Sequence, residues 1–356
     1  MKKMTRNVGC LLPFVVLIFH ACTINGNTGG PVASTEKEMT YFSFLAEDNG
    51  GFLLQNLTGE IEGQNITVYV PVGGIYQSSL VAHFVSTGVA AYIDGVEQTS
   101  RTTAADFTNP VTYTIRAEDG TEQEYVVTIV CEGITITPED QAEYLLQALV
   151  VPYSGITITD VSLYASTGQC GIVAGGKGLS NGVILTNGLA VNALPPNDST
   201  CESSMLNEPG NSLCSLLTAP YGSNDSCWFE ITFDLASGYN GICLEYVFGS
   251  EEYPESIDSI NDACGIFLNG TTLEHNVALD PEGNHINING PFFHGDAVML
   301  PPENGLEYDG STPRWVAQGF IAAGSYGNKL IIVVCDASDC IGDSGIILSR
   351  LRGIPL

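Results

Sequence analysis

The chain has few basic residues and few tryptophans for its length. Its 356 residues include 11 Lys and Arg against 40 Asp and Glu, which gives a formal net charge of -29, and only 2 Trp. So negative a protein repels the phosphates of nucleic acids, and we expect no nucleic acid partner. Acidic chains are often disordered, but here 44% of residues are hydrophobic and 14% charged. That is enough apolar material for sizeable cores.

Several motifs of metalloproteins and nucleotide-binding proteins are also missing. No Cys-x-x-Cys pair or His-x-x-x-His spacing predicts zinc, and no Asp-x-Asp-x-Asp-Gly run predicts an EF-hand calcium loop. Helical and strand patterns do not alternate as in an α/β nucleotide-binding fold. We therefore expect a non-catalytic protein.

The N-terminus has the organisation of an export signal. Lys2, Lys3 and Arg6 precede a short apolar run, 11–19, that is too short to span a bilayer as a helix. The following Ala21-Cys22 is similar to a bacterial lipoprotein signal, in which Cys22 carries the lipid that holds the protein on a membrane. The alternative is an ordinary secretory signal, residues 1–21, with an incidental Cys22. Residues 22–39 then read as a flexible tether.

Eleven cysteines in an exported chain predict disulfides, because thiols oxidise outside the cytoplasm. Most of them lie beyond residue 169, and so many cysteines allow too many pairings for the connectivity to be deduced. The plausible local closures are Cys335 with Cys340 and Cys201 with Cys214.

Residues 40–133 alternate apolar and polar side chains as β-strands do. About seven short strands, separated by turn signals such as Asp94-Gly95, predict an immunoglobulin-like sandwich. We expect the aromatic residues Phe42, Phe44 and Tyr113 to form its core rather than a ligand platform.

The pattern changes at the junction that follows. Thr137-Pro138 predicts a helix start, and Ala142, Leu145 and Leu149 line one face of the predicted helix. Beyond it, apolar runs separated by long loops predict a larger β-sandwich or jelly-roll-like domain over residues 134–356. The predicted fold class is therefore all-β, with one short helix between two β-domains.

Two patterns resemble known families. Asn181-Gly-Val-Ile-Leu-Thr-Asn-Gly188 and Tyr246-Val-Phe-Gly-Ser-Glu-Glu-Tyr-Pro-Glu255 closely resemble the signature of the bacterial choice-of-anchor L domain, over about 138–353. Residues 106–121 resemble a bacterial immunoglobulin-like surface module that usually serves as a spacer. The resemblance implies an anchored β-domain and brings no enzymatic activity with it. The cysteine-rich segment 200–227 departs from the family pattern.

Two loops are rich in carboxylates. If both lie at one end of the sandwich, they form an oxygen cage suited to calcium, which accepts six to eight oxygen ligands in irregular geometry. The predicted ligands are Glu251, Glu252, Asp262, Asp336, Asp339 and Asp343. The alternatives are solvated carboxylates or caps of tight turns. We also expect Tyr308, Trp315 and Tyr326 to pack in a core rather than stack on sugars.

These observations predict a lipoprotein of the bacterial cell envelope, on the outer membrane and exposed at the cell surface. It acts without catalysis in adhesion or ligand binding. Its partners are the membrane, through the lipid, and an extracellular glycan or protein, and calcium is the one expected cofactor. The alternative is a glycan-processing hydrolase that uses a carboxylate pair such as Glu252 with Asp262 or Asp336.

Overall fold

A computed structural model describes residues 32–50, 53, 55–75, 77–131, 133–175, 182–338 and 340–356. About 45% of it is strand and 8% is helix, which confirms the predicted all-β class. Two predicted site residues, Cys22 and Asp339, lie outside the described residues. Within the described ranges, no helix combines the length and the apolar character needed to cross a bilayer.

The N-terminal domain is a curled sheet. In its described residues the strands are β1 (Met39–Phe44), β2 (Leu57–Glu62), β3 (Asn65–Val70), β4 (Leu80–Ser86), β5 (Ala90–Ile93), β6 (Val96–Gln98), β7 (Ala104–Ala105), β8 (Val111–Arg116) and β9 (Glu122–Cys131). Their order is β6-β5-β8-β9-β3-β2-β1-β4-β7, and β3 pairs with β9 in parallel. The rings of Phe42, Phe44 and Tyr113 are buried at the centre, which confirms their predicted place in the core.

The C-terminal domain contains the remaining elements. Its strands are β10 (Ile134–Pro138), β11 (Ile156–Tyr164), β12 (Cys170–Gly175), β13 (Gly182–Thr186), β14 (Asn224–Leu235), β15 (Tyr239–Ser250), β16 (Ala263–Leu268), β17 (Gly310–Ser311), β18 (Trp315–Phe320), β19 (Asn328–Asp336) and β20 (Ser344–Pro355). The helices are α1 (Ala142–Leu149) and α2 (Ser212–Leu217), with short 3-10 turns at Ala190–Ala193, Leu273–His275 and Pro291–His294.

These strands form two sheets that face each other. One sheet has the order β10-β12-β13-β20-β15-β17, with β18 also paired to β15, and the other has the order β11-β14-β19-β16. Alternate residues of β14 and β15, such as Phe229 and Phe248, fill the space between the sheets. Helix α2 covers the outer face of the four-stranded sheet, where Leu217 packs with Phe267 and Val333. Since both faces of β19 are covered, its sequence is apolar without alternation.

The predicted helix is present, but its predicted start is wrong. Leu145 and Leu149 of α1 are buried as expected. Thr137 and Pro138 instead end β10, which pairs along its whole length with β12, and Gln141 precedes the first helical residue without a side-chain cap. The residues that the local capping pattern assigned to the start of the helix therefore belong to a β-strand instead.

The two domains meet through a segment of the N-terminal domain that packs into the C-terminal one. Val72 joins an apolar cluster of the C-terminal domain, and the backbone N–H of Gly73 donates to the carbonyl of Asn304 at 2.8 Å. Arg314 donates to the carbonyl of Val72 at 3.3 Å and to Glu245 Oε2 at 3.0 Å. The Arg314 and Glu245 side chains are only 8% and 7% exposed.

We expect Arg314→Met to lower the free energy of unfolding by about 3 kcal/mol or more, because it leaves Glu245 buried with one fewer cation. Arg116→Met is the matched control, since its ion pair with Glu122 is about half exposed and worth only ~0–1 kcal/mol. Urea unfolding of both variants measures the difference. Equal losses would contradict a special role for the buried pair.

Candidate functional site

The two acidic loops do lie at one end of the C-terminal sandwich. The first loop, 251–262, runs from β15 in one sheet to β16 in the other, and the second, 337–343, runs back from β19 to β20. Since β15 pairs with β20 and β16 pairs with β19, the two crossings must lie side by side. The N–H of Glu251 donates to the carbonyl of Asp343 at 3.0 Å. Each of the two loops therefore connects one sheet to the other, and the two loops do so side by side.

Asp262 is a structural acceptor between these loops. Its Oδ1 accepts the backbone N–H of Ala337 at 2.8 Å, and its Oδ2 accepts the side-chain amide of Asn187, also at 2.8 Å. Burial, followed by the charge of neighbouring Asp336, raises the pKa of Asp262 well above its usual range. Both of its oxygens are already occupied by hydrogen bonds that hold the crossing.

Asp343 has the same role in the second loop. Its two oxygens accept the N–H of Ser204 at 2.7 Å and the amide of Asn192 at 3.0 Å. Its carboxyl group lies directly against Gly188, where a Cβ atom would come within 2.1 Å of the carboxyl carbon. Only glycine allows this approach, which gives a physical reason for the Asn-Gly that ends the first signature motif.

A carboxylate that the sequence reasoning missed completes this end. Glu307 lies beside Glu251, and each is 4% exposed. Glu251 Oε2 accepts the N–H of Glu202 at 3.0 Å, and Glu307 Oε1 accepts that of Ser199 at 3.1 Å. The other oxygen of each has no hydrogen-bond partner in the described residues. Burial, and then the contact with Glu307, raise the pKa of Glu251 to about 9.

The geometry does not by itself create a metal centre. Within the described ranges, no group of three or more His, Cys, Asp or Glu side chains is placed to hold a metal ion. Asp262 and Asp343 are occupied by loop hydrogen bonds, and Asp339 lies outside the described residues. Calcium binding by these loops stays a prediction.

A hydrolytic site needs carboxylates that a polysaccharide can reach, and these are enclosed. Glu252, Asp262 and Asp336 are all nearly fully buried. Glu252 Oε2 accepts the backbone N–H of Asp262 at 3.4 Å, so this predicted acid-base pair is joined through the loop backbone. The geometry thus gives no support to the hydrolase alternative.

An aromatic shelf lies elsewhere on the domain, at the outer margin of the four-stranded sheet. Tyr164 at the end of β11 is directly opposite Trp228 of β14. Their rings stack with centroids 4.6 Å apart and planes 14° apart, and Tyr164 is 46% exposed. Trp228 packs on its other side against the apolar cluster under α2, which fixes the shelf on rigid strands.

Polar groups surround this shelf. A cavity of about 290 Å³ is lined by both rings together with Ser166, Gln169, Glu208, Pro209 and Ser226. The Ser166 hydroxyl donates to Glu208 Oε1 at 2.8 Å. The buried Ser226 hydroxyl has no hydrogen-bond partner in the part of the chain that the structure describes. Apolar faces with adjacent hydrogen-bonding groups are typical of ligand sites.

Sequence reasoning named other aromatic residues. Tyr308 is fully buried and Trp315 packs against the core, as predicted, but Tyr326 is 82% exposed, so its predicted burial is wrong. The shelf was missed because only the pairing register of β11 and β14 brings Tyr164 beside Trp228. The sequence did contain one indication of this site, which is a tyrosine and a tryptophan at outward-facing positions of two strands.

We expect Glu251→Gln to stabilise the protein above neutral pH in buffer containing EDTA. The folded-state pKa of about 9 exceeds the ordinary 4.5. The neutral carboxyl therefore contributes stability below pH 4.5 that is lost as the pH rises towards 9. Gln cannot ionise, so at pH 8 the variant should gain at least ~1 kcal/mol, since one pKa unit is worth ~1.4 kcal/mol. Urea unfolding at several pH values tests this, with exposed Glu255→Gln as the control. Parallel curves for wild type and Glu251→Gln would contradict it.

We expect calcium to raise the melting temperature by about 5 °C at saturating concentration and EDTA to reverse the rise. A cation would take the place of the proton between Glu251 and Glu307, so Glu251→Gln with Glu307→Gln should remove the effect. Glu255→Gln should keep it. An unchanged melting curve of the wild-type protein in calcium would rule the site out.

Each of the two domains matches a known protein family. Residues 135–351 match the choice-of-anchor L domain, and residues 51–129 match a domain described as "SGBP, N-terminal", where SGBP denotes surface glycan-binding protein. No curated protein matches the chain. Both matched families are domains of bacterial cell-surface proteins.

Solved structures are similar only at a low level. A protein of Bacteroides fragilis is 20% identical, covers 27% of this chain and 95% of its own, and has a TM-score of 0.19. A carbohydrate-binding module described for specific mannan recognition is 10% identical, covers 62% and 96%, and has a TM-score of 0.26. These values carry no functional argument. The family match spans more than half of the sequence and includes the motifs whose packing is described above, so the chain belongs to the choice-of-anchor L domain family.

Proposed function

We propose that the protein is a bacterial cell-surface lipoprotein that binds an extracellular glycan without transforming it. The match of residues 51–129 to the N-terminal domain of surface glycan-binding proteins supports the ligand class. A lipid on Cys22 would hold the chain on the outer membrane, with the residues before β1 as tether. The C-terminal domain then supplies the contact surface.

The observation that carries this proposal is the shelf of Tyr164 and Trp228. The C–H groups on one face of a pyranose ring form an apolar patch that packs on an aromatic ring, while its hydroxyls need hydrogen-bonding groups at the margin. Glu208, Ser166 and Ser226 line the same cavity as the two rings. Aromatic side chains on rigid elements bind ligands with little loss of conformational entropy.

The charge of the protein narrows the class of glycan. With a net charge of -29, the surface repels uronate-rich and sulfated polymers over distances of about 10 Å at moderate salt. Glu208 adds a negative group inside the cavity itself. We therefore expect a neutral polysaccharide, whose hydroxyls donate to this carboxylate.

We expect Tyr164→Ala to weaken binding to a neutral polysaccharide about 10-fold or more, because central aromatic contacts are commonly worth ~2 kcal/mol. Tyr164 is the better test than Trp228, which also supports the apolar layer under α2. Tyr326→Ala is the matched control, since it removes an exposed tyrosine outside the cavity. Affinity electrophoresis on neutral and uronate-rich polysaccharides measures the change, and released reducing ends report any hydrolysis.

Three outcomes would overturn parts of this proposal. Equal losses in Tyr164→Ala and Tyr326→Ala would remove the shelf as the site. Binding to a matrix protein but to no polysaccharide would favour adhesion through a protein ligand. Release of reducing ends that is lost in Glu252→Gln would favour the hydrolase.

A further inference from the structure

We propose that Cys170 with Cys227, and Cys214 with Cys335, form two disulfides that join the layers of the C-terminal domain. One pair lies between the two sheets, and the other lies between the four-stranded sheet and α2. All four side chains are fully buried. This assignment does not depend on the glycan ligand.

The first pair spans the sandwich. Cys170 opens β12 in the seven-stranded sheet, and Cys227 lies in β14 of the four-stranded sheet. Their sulfur atoms are 3.3 Å apart in the core between the sheets. A covalent bond needs only a small approach of the two side chains. It would link the two sheets through residues that are 57 positions apart in the sequence.

The second pair lies on the outer face. Cys214 is in α2 and Cys335 is near the end of β19, and both belong to the small apolar cluster between this helix and the sheet. Burial, and then the neighbouring Cys214, raise the pKa of Cys335. Cys335 Sγ also lies 3.8 Å from the carbonyl of Ala263. A bond here would fasten α2 to the sheet that it covers. Because α2 is only six residues long, it has little helical stability of its own and depends on such contacts.

These two disulfides are incompatible with the pairs that sequence spacing favoured, Cys201 with Cys214 and Cys335 with Cys340. Cys214 cannot bond both Cys335 and Cys201, and Cys335 cannot bond both Cys214 and Cys340. Buried cysteines are common as free thiols, so burial alone would not predict a bond. The sulfur atoms of Cys170 and Cys227 are in contact, and Cys214 and Cys335 share one small apolar cluster, which is more specific than burial alone. An exported chain also matures where disulfides persist.

The oxidation requires an external disulfide as the oxidant. One cysteine thiolate attacks this disulfide, which gives a mixed disulfide and releases one thiolate of the oxidant. The second cysteine thiolate then attacks the mixed disulfide and releases the other. The protein loses two protons and two electrons for each bond, and the oxidant gains them. Burial raises the pKa of both Cys227 and Cys335 well above the usual range, so the reactive thiolates are scarce after folding. We expect the bonds to form before the layers close.

Peptide mapping tests the connectivity directly. The chain is refolded with oxidised glutathione, denatured without reductant, treated with N-ethylmaleimide and digested. We expect linked peptides that join 170 to 227 and 214 to 335. Full labelling of these four cysteines would overturn the proposal, and so would linkage of Cys214 to Cys201 or of Cys335 to Cys340.

Stability provides a second measurement. Dithiothreitol added in denaturant before refolding should lower the melting temperature of the wild-type protein by about 5 °C or more. The double variant Cys170→Ala with Cys227→Ala should lose part of that shift. Cys264→Ala is the matched control, because it removes a fully buried thiol of the same core and should keep the whole shift. No shift in the wild type, or equal shifts in all three proteins, would contradict the two bonds.

Discussion

The C-terminal domain depends on two chain crossings that lie side by side between its sheets. Crossing at the same end buries Glu251, Glu252, Asp262 and Asp343, and an unpaired charge is very unfavourable when it is buried. Asp262 and Asp343 accept hydrogen bonds from backbone N–H and side-chain amide donors of neighbouring loops. Glu251 and Glu307 lie beside each other, and one oxygen of each has no hydrogen-bond partner in the described residues. The density of acidic residues in the signature motif is therefore first a means of joining two sheets.

In the same architecture, the two faces of the four-stranded sheet have different roles. Its inner face completes the sandwich core, and its outer face is covered by α2 and the loop that carries it. Where this cover ends, Tyr164 and Trp228 reach the surface. Cys227 directly precedes Trp228 in β14 and lies against Cys170 in the core below. The proposed binding surface is thus supported by the buried core of the domain, which favours a preformed site over one that closes around its ligand.

Local sequence patterns predicted the strands and the helix α1 well, but they predicted poorly which strands and side chains lie next to one another. The apolar run 182–186 and the amphipathic face of α1 were visible, because each depends on neighbouring residues. The strands before and after Glu251 belong to different sheets, and no local pattern distinguishes this from a hairpin. Glu307 and the Tyr164–Trp228 register were missed for the same reason, since each meets its partner only through long-range pairing. Spacing likewise favoured nearby cysteines, whereas the folded chain brings together distant ones.

The contact between the domains bears on how the binding surface is presented. A surface module that serves only as a spacer needs no defined relation to the next domain, and domains joined by small polar contacts usually move. Here Val72 lies within an apolar cluster of the C-terminal domain, and Arg314 links its carbonyl to buried Glu245. Moving the domains apart would expose this apolar contact and break the hydrogen bond from buried Arg314 to the carbonyl of Val72, which is costly. The N-terminal domain is therefore better understood as a fixed support than as a loose spacer.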